Sequence, residues 1–155
     1  MSNTYTNLLY HVVFSTKFRL PTIDSTWQSA LHKYIGGIIR ERDGISLQVG
    51  GMPDHVHVLA KLCPKFAVMD VIRDIKANSS KWVNDQHLSK GRFEWQMGYG
   101  AFSVSRSNVD EVQHYIRTQP EHHRQMSFKT ELLEFLKRHG VEFDLKYVFD
   151  EEHFA

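Results

Sequence analysis

Residues 45–62 read ISLQVGGMPDHVHVLAKL. Residues 45–50 and 55–62 predict two strands, and the short Gly51-Met52-Pro53-Asp54 segment between them predicts a tight turn, so the stretch is a hairpin. A long helix flanks it on each side. Upstream, Asp24 or Ser25 can cap a helix running to about Asp43, with Gly44 as its stop. Its apolar stripe is Leu31, Tyr34, Ile35, Ile38 and Ile39. Downstream, residues 66–86 place Val68, Val71, Ile72, Ile75 and Trp82 on one helical face. Farther out lie two more strands. In residues 5–16, Tyr10, Val12 and Phe14 alternate with His11, Val13 and Ser15. Residues 95–105 read as a fourth strand despite Gly98 and Gly100. The order β-α-β-β-α-β predicts a ferredoxin-like α+β arrangement, an antiparallel sheet with both helices on one face.

The second face of such a sheet needs a cover. Asn108 can cap a helix carrying Val112, Tyr115 and Ile116, which Pro120 ends or kinks. A last helix is expected from about Thr130 to His139, stopped by Gly140. These C-terminal helices, a partner subunit or a nucleic acid could each supply the cover. At 155 residues the chain is read as one domain, 1–155, with a core over about 5–125 and a C-terminal helix and tail over 126–155.

Composition narrows the class. With 41% hydrophobic and 24% charged residues, the chain is expected to fold rather than stay disordered. No apolar run approaches the ~20 residues that span a bilayer, and Met1 to Tyr5 show no secretory pattern. Cys63 is the single cysteine, which excludes an intramolecular disulfide and suits a reducing cytoplasm. Net charge is +1, but it is uneven. Residues 1–105 hold 12 Lys/Arg against 8 Asp/Glu, and residues 106–155 hold 7 against 10. The first part could offer a phosphate-binding face and the tail could not.

Two patterns could carry chemistry. His55 and His57 stand two apart on a strand and point to one side, where two imidazoles can chelate one ion. Such a triplet arises by chance roughly once in four chains of this composition, and alone it equally fits two polar residues on a solvent-facing strand. Tyr115 and Gln119 stand four apart on the predicted helix, so they share a face. A Gln carbonyl oxygen suits a hard divalent cation, but a packed tyrosine is the ordinary reading of such a ring. His122 and His123 read as surface residues, Trp82 as core, and Tyr99 and Phe102 as either base-stacking or buried aromatics. Asp150, Glu151, Glu152 and His153 read as a solvated tail.

Longer strings point further. YHVVFSTK at 10–17, MPDHVH at 52–57, WQMGYGAFSVS at 95–105 and YIRTQ at 115–119 occur in one order. Together they resemble the single-tyrosine transposases of the HUH superfamily, named for His-hydrophobic-His, over about Tyr5 to Gln125. The resemblance implies the ferredoxin-like fold, His55, His57 and Gln119 as ligands of Mg²⁺ or Mn²⁺, and Tyr115 as the nucleophile. It also implies single-stranded DNA with hairpins as substrate, a 5′-phosphotyrosine intermediate, and a homodimer in which each tyrosine helix is able to serve the partner's metal site. Which residues touch DNA stays open. Three other readings remain: a related chromosomal nuclease that processes repeated palindromes, a non-catalytic single-strand-binding module, and a metal-binding structural domain.

Overall fold

The computed structural model describes residues 3–145, 148 and 149. β1 (Leu8–Ser15) leads through a short 3₁₀ turn into α1 (Ser25–Glu41), whose first turn is capped by the Asp24 carboxylate accepting from the Thr26 amide at 2.9 Å. β2 (Ile45–Met52) and β3 (His55–Leu62) form the expected hairpin. α2 (Val68–Asp85) and β4 (Gly100–Ser103) complete the β-α-β-β-α-β core. The sheet order is β2-β3-β1-β4 and every neighbouring pair is antiparallel, the ferredoxin-like topology.

The register divides the side chains between two faces. On one face Val12, Phe14, Val56, Val58 and Ala60 pack with Leu31, Ile35 and Ile39 of α1 and Val71, Ile72 and Ile75 of α2. Tyr34 and Trp82 stack at 4.8 Å beside this core, so Trp82 joins its margin rather than forming a platform. The other face carries His11, Val13 and Ser15 of β1, which stand opposite Leu59, His57 and His55 of β3.

Three C-terminal helices follow the sheet: α3 (Val109–Arg117), α4 (Gln119–His122) and α5 (Phe128–Arg138). Val109 and Ile116 of α3 pack on Leu9 and Leu59, while Phe128 and Leu132 of α5 pack on Val13. The cover of the second face is thus supplied by the chain itself. Among the described residues, no helix is long and apolar enough to cross a membrane. Residues 150–153 lie outside the described part.

Element ends shift by up to three residues, β1 starting at Leu8 and β2 running on to Met52 so that Pro53 and Asp54 alone turn the hairpin, and three further differences have identifiable causes. The fourth strand is four residues long instead of eleven. Trp95 still makes an isolated bridge to Thr16, and the Gln96 amide donates to the Ser15 carbonyl at 2.9 Å. The chain then leaves the sheet at Met97 to Tyr99, where the Met97 and Tyr99 side chains are exposed and the Gly98 carbonyl accepts from Lys76 Nζ of α2 at 2.7 Å. Phe102, back in β4, is buried against Phe135 at 5.5 Å. The last helix starts at Phe128, two residues early, because the Ser127 hydroxyl accepts from the Thr130 amide and caps it. The third difference bears on the site. Tyr115 and Gln119 do not share one helix, because the chain breaks at Thr118 (φ −102°, ψ 23°). Pro120 has no N–H to donate back to Ile116 and restricts Gln119 before it, so α3 ends and a new turn begins.

Candidate active site

His55 and His57 are fully buried, so the solvent-facing alternative for the two histidines does not hold. The hairpin fixes their backbone. Gly51 sits at φ +153°, and a Cβ there would come within 2.2 Å of the His55 carbonyl oxygen, so only glycine lets β2 close onto His55. Gly50, opposite His57, lets the end of α3 lie directly on the sheet. A Cβ on Gly50 would stand 2.8 Å from both the Ile116 carbonyl oxygen and its Cγ2. Tyr115, one residue earlier, is thereby set beside the histidine pair, its ring 5.8 Å from that of His57.

α4 brings in Gln119, whose Oε1 lies 2.9 Å from His55 Nε2. The four residues singled out in the sequence, Tyr115, Gln119, His55 and His57, therefore meet in one place and within one chain. Two further residues complete the cluster. The Glu131 carboxylate enters from α5, with Oε1 2.9 Å from His57 Nε2 and 3.4 Å from His55 Nε2. Its Oε2 accepts from Gln119 Nε2 at 3.1 Å and from the Tyr115 hydroxyl. His123 is not a surface residue. Its Nε2 stands 3.0 Å from Gln119 Oε1 and 3.2 Å from Glu131 Oε1. His122 stacks on the Tyr115 ring at 4.4 Å.

Ligand atoms of His55, His57, His123 and Glu131 all lie within 4.8 Å of one another. Each imidazole turns Nε2 inward because its Nδ1 is occupied outside. Asp54 Oδ1 holds His55 Nδ1 at 2.6 Å, His11 Nε2 meets His57 Nδ1 at 2.7 Å, and the Met126 carbonyl holds His123 Nδ1 at 2.8 Å. Such outer partners orient metal-binding histidines. Nitrogen and oxygen donors converging on one point fit a divalent first-row ion or Mg²⁺.

The electrostatics follow from burial and pairing. Burial alone would lower the His55 pKa, but the hydrogen bonds to Asp54 and Glu131 outweigh it and raise it to about 9. Burial lowers His57, which Glu131 only partly offsets, and burial with the neighbouring His57 holds His11 well below its ordinary value. Burial would push the Glu131 carboxyl up, but the hydrogen bonds from His123, His55 and His57 pull it far down, so it stays ionised. Burial and the adjacent Glu131 charge raise the Tyr115 hydroxyl. As it stands, the phenol keeps its proton, and positive charge at the cluster would be needed to release it.

The model of one family, described as IS200-like transposase, matches residues 4–119. The chain belongs to the IS200-like transposases. A transposase of the IS200 insertion sequence from Salmonella typhimurium is 25% identical over 126 residues, covering 78% of this chain and 82% of that one. The ISDra2 transposase TnpA from Deinococcus radiodurans is 26% identical over 117 residues, covering 72% and 84%. Two solved structures share the fold. One is a Deinococcus radiodurans protein assigned as a transposase, with TM-score 0.62, 23% identity, and coverage of 77% of this chain and 95% of that one. The other is a REP-associated tyrosine transposase bound to a REP hairpin, with TM-score 0.59, 16% identity, and coverage of 79% and 73%.

The IS200-like segment ends at Gln119, so His123 and Glu131 lie beyond it. A signal for each was nonetheless present. Glu131 falls between Phe128, Leu132 and Phe135 on the buried stripe of α5, where a carboxylate needs a partner. His123 is four residues after Gln119, one turn on.

Proposed function

We propose that this IS200-like transposase cuts and rejoins single-stranded DNA through a covalent bond to Tyr115, assisted by a divalent metal ion, Mg²⁺ or Mn²⁺. One observation carries the reading. The fold brings the Tyr115 hydroxyl, the Gln119 amide and both histidines of the His55-Val56-His57 triplet onto a single carboxylate, Glu131.

A phosphodiester resists attack because its negative charge repels nucleophiles, and a bound divalent ion neutralises that charge and polarises the phosphorus. His55, His57 and Gln119 would hold the ion through two imidazole nitrogens and an amide oxygen. α3 presents Tyr115 at the edge of the cluster, and Glu131 orients its hydroxyl. The tyrosine oxygen forms a bond to phosphorus while the bond from phosphorus to the 3′ oxygen breaks. The products are a 5′-phosphotyrosine and a free 3′-hydroxyl. Another 3′-hydroxyl can reverse the step and join a different strand, with no further energy source, because the phosphotyrosine keeps the bond energy.

The substrate we assign is single-stranded DNA with hairpins at the ends of a mobile segment. A solved protein of the same fold carries a REP hairpin, which supports a hairpin as the ligand type. That same relative supports a second reading, a chromosomal enzyme that processes repeated palindromes with the same chemistry. Moving a segment takes two cuts and each chain offers one Tyr115, so the proposal includes a pair of chains. A cytoplasmic site of action follows from the substrate.

The test is incubation with hairpin-bearing single-stranded DNA and Mn²⁺, read on a denaturing gel. Cleaved and rejoined strands are expected from single-stranded substrate and not from blunt duplex of the same sequence. Equal cleavage of duplex, or no cleavage of either, would refute the reading.

A further inference from the structure

We propose that His123 and Glu131 are metal ligands, so that the ion is held by three imidazoles, one carboxylate and the Gln119 amide oxygen and ties the C-terminal helix α5 to the sheet. The inference rests on the metal centre proposed above. It extends that centre beyond His55, His57 and Gln119 to two residues outside the segment shared with the family.

The Met126 carbonyl accepts from His123 Nδ1 and the Asp54 carboxylate from His55 Nδ1, so both rings turn Nε2 inward. Ligand atoms of His55, His57, His123 and Glu131 then lie within 4.8 Å of one another, drawn from β3, the turn after α4 and α5. Gln119 Oε1 stands beside them, 2.9 Å from His55 Nε2 and 3.0 Å from His123 Nε2. The Glu131 side chain is 1% exposed, so its charge is balanced by these groups and not by water. Protons on the imidazoles meet that need, and one divalent ion held among the same atoms meets it equally.

Three nitrogens and two oxygens, from Glu131 and Gln119, make a donor set of borderline softness. It suits Mn²⁺ and its first-row neighbours better than Mg²⁺, which prefers oxygen. Ligation through Oε1 leaves Oε2 for Gln119 Nε2 and the Tyr115 hydroxyl. Because Glu131 belongs to α5, binding of the ion and seating of that helix on Val13 become mutually dependent.

Mn²⁺ alone is the probe, added to the full chain without DNA and followed by its electron paramagnetic resonance. Glu131→Gln keeps the shape and removes the charge, and His123→Ala removes one imidazole. Each should weaken Mn²⁺ binding at least tenfold, with thermal melts in EDTA confirming folded protein. Spin-echo modulation of the bound ion should show three coordinated imidazoles in the native chain and two in His123→Ala. Mn²⁺ should also slow amide exchange in residues 128–138 of the native chain but not of Glu131→Gln. Less than a threefold loss in both variants, or two imidazoles in the native chain, would overturn the proposal. His57→Ala separates the two levels. If it alone loses Mn²⁺, the centre stands and the added ligands fall. If the native chain binds no Mn²⁺, both fall together.

Discussion

The Tyr115 hydroxyl donates its hydrogen bond to the Glu131 carboxylate, across a gap of sixteen residues in sequence. That contact joins α3 to α5 directly over His57, which meets the same carboxylate at 2.9 Å. A tyrosine placed only for packing would not need an ionised partner in the interior. Here the hydroxyl is aimed at the point where His55, His57, His123 and Glu131 converge, and its position depends on how α3 is seated.

Gly50 tests that seating. Gly50→Ala puts a methyl group 2.8 Å from the Ile116 main chain, and α3 must lift. Stability should fall by about 1–3 kcal/mol, as overpacking costs. DNA cleavage should fall by more than tenfold and Mn²⁺ binding by less, because His55 and His57 sit on β3 while Gln119 follows the displaced end of α3. Denaturant melts, metal titration and cleavage rates measured on one preparation separate the three effects.

Asp54 controls the direction of His55. Its carboxylate holds Nδ1 at 2.6 Å and so presents Nε2 to the cluster. Loss of such a partner typically costs 10–100-fold in metal affinity. Asp54→Ala should fall in that range by calorimetric titration with Mn²⁺, whereas an unchanged affinity would mean that packing alone orients the ring.

Tyr115 meets His57 and Glu131 of its own chain, which supports a proposed site built within one chain. Co-expressing a Tyr115→Phe chain with a His57→Ala chain should therefore give no recovery of cleavage in confirmed heterodimers, as each chain keeps its own lesion. Recovery to a sizeable fraction of native activity would show that α3 crosses to the partner during the reaction.

His32 gives a pH dependence away from the site. Burial lowers its pKa to about 4, and its Nε2 has no hydrogen-bond partner. The unfolded chain binds this proton near pH 6.5 and the folded chain does not. Stability contributed by the neutral ring is therefore present above pH 6.5 and is lost as pH falls toward 4. Between pH 7 and pH 5 the native chain should lose on the order of 1 kcal/mol more than His32→Gln. Urea midpoints at the two pH values, compared between the proteins, check it.

Most of the fold could be read because its signals are local. The hairpin at 45–62 sits between two helices with clean apolar stripes, and the strand through Tyr10, Val12 and Phe14 alternates as a strand should. The fourth strand is shorter than its pattern suggests because Trp95 and Gln96 do pair with Thr16 and Ser15, while residues 97–99 leave the sheet and the Gly98 carbonyl bonds to Lys76 of α2. The helix break at Thr118 was visible in Pro120, but its place one residue before Gln119 depends on restrictions that act backward along the chain. Of the site, His55 and His57 stood out by spacing. His123 and Glu131 did not, because their role arises only when α5 folds over the sheet. No local pattern marks a contact between residues 57 and 131, whereas a lone carboxylate on an apolar stripe does mark the need for one.

The central claim is that Tyr115 forms the covalent bond to DNA. The decisive measurement is peptide mass spectrometry after reaction with hairpin-bearing single-stranded DNA and Mn²⁺, followed by nuclease trimming. A nucleotide remnant should be found on the peptide containing Tyr115. It should be absent in excess EDTA and absent from Tyr115→Phe, which loses one oxygen and should still bind the DNA within about a factor of three. A remnant on any other residue, or an adduct that persists in the Phe variant, would contradict the account.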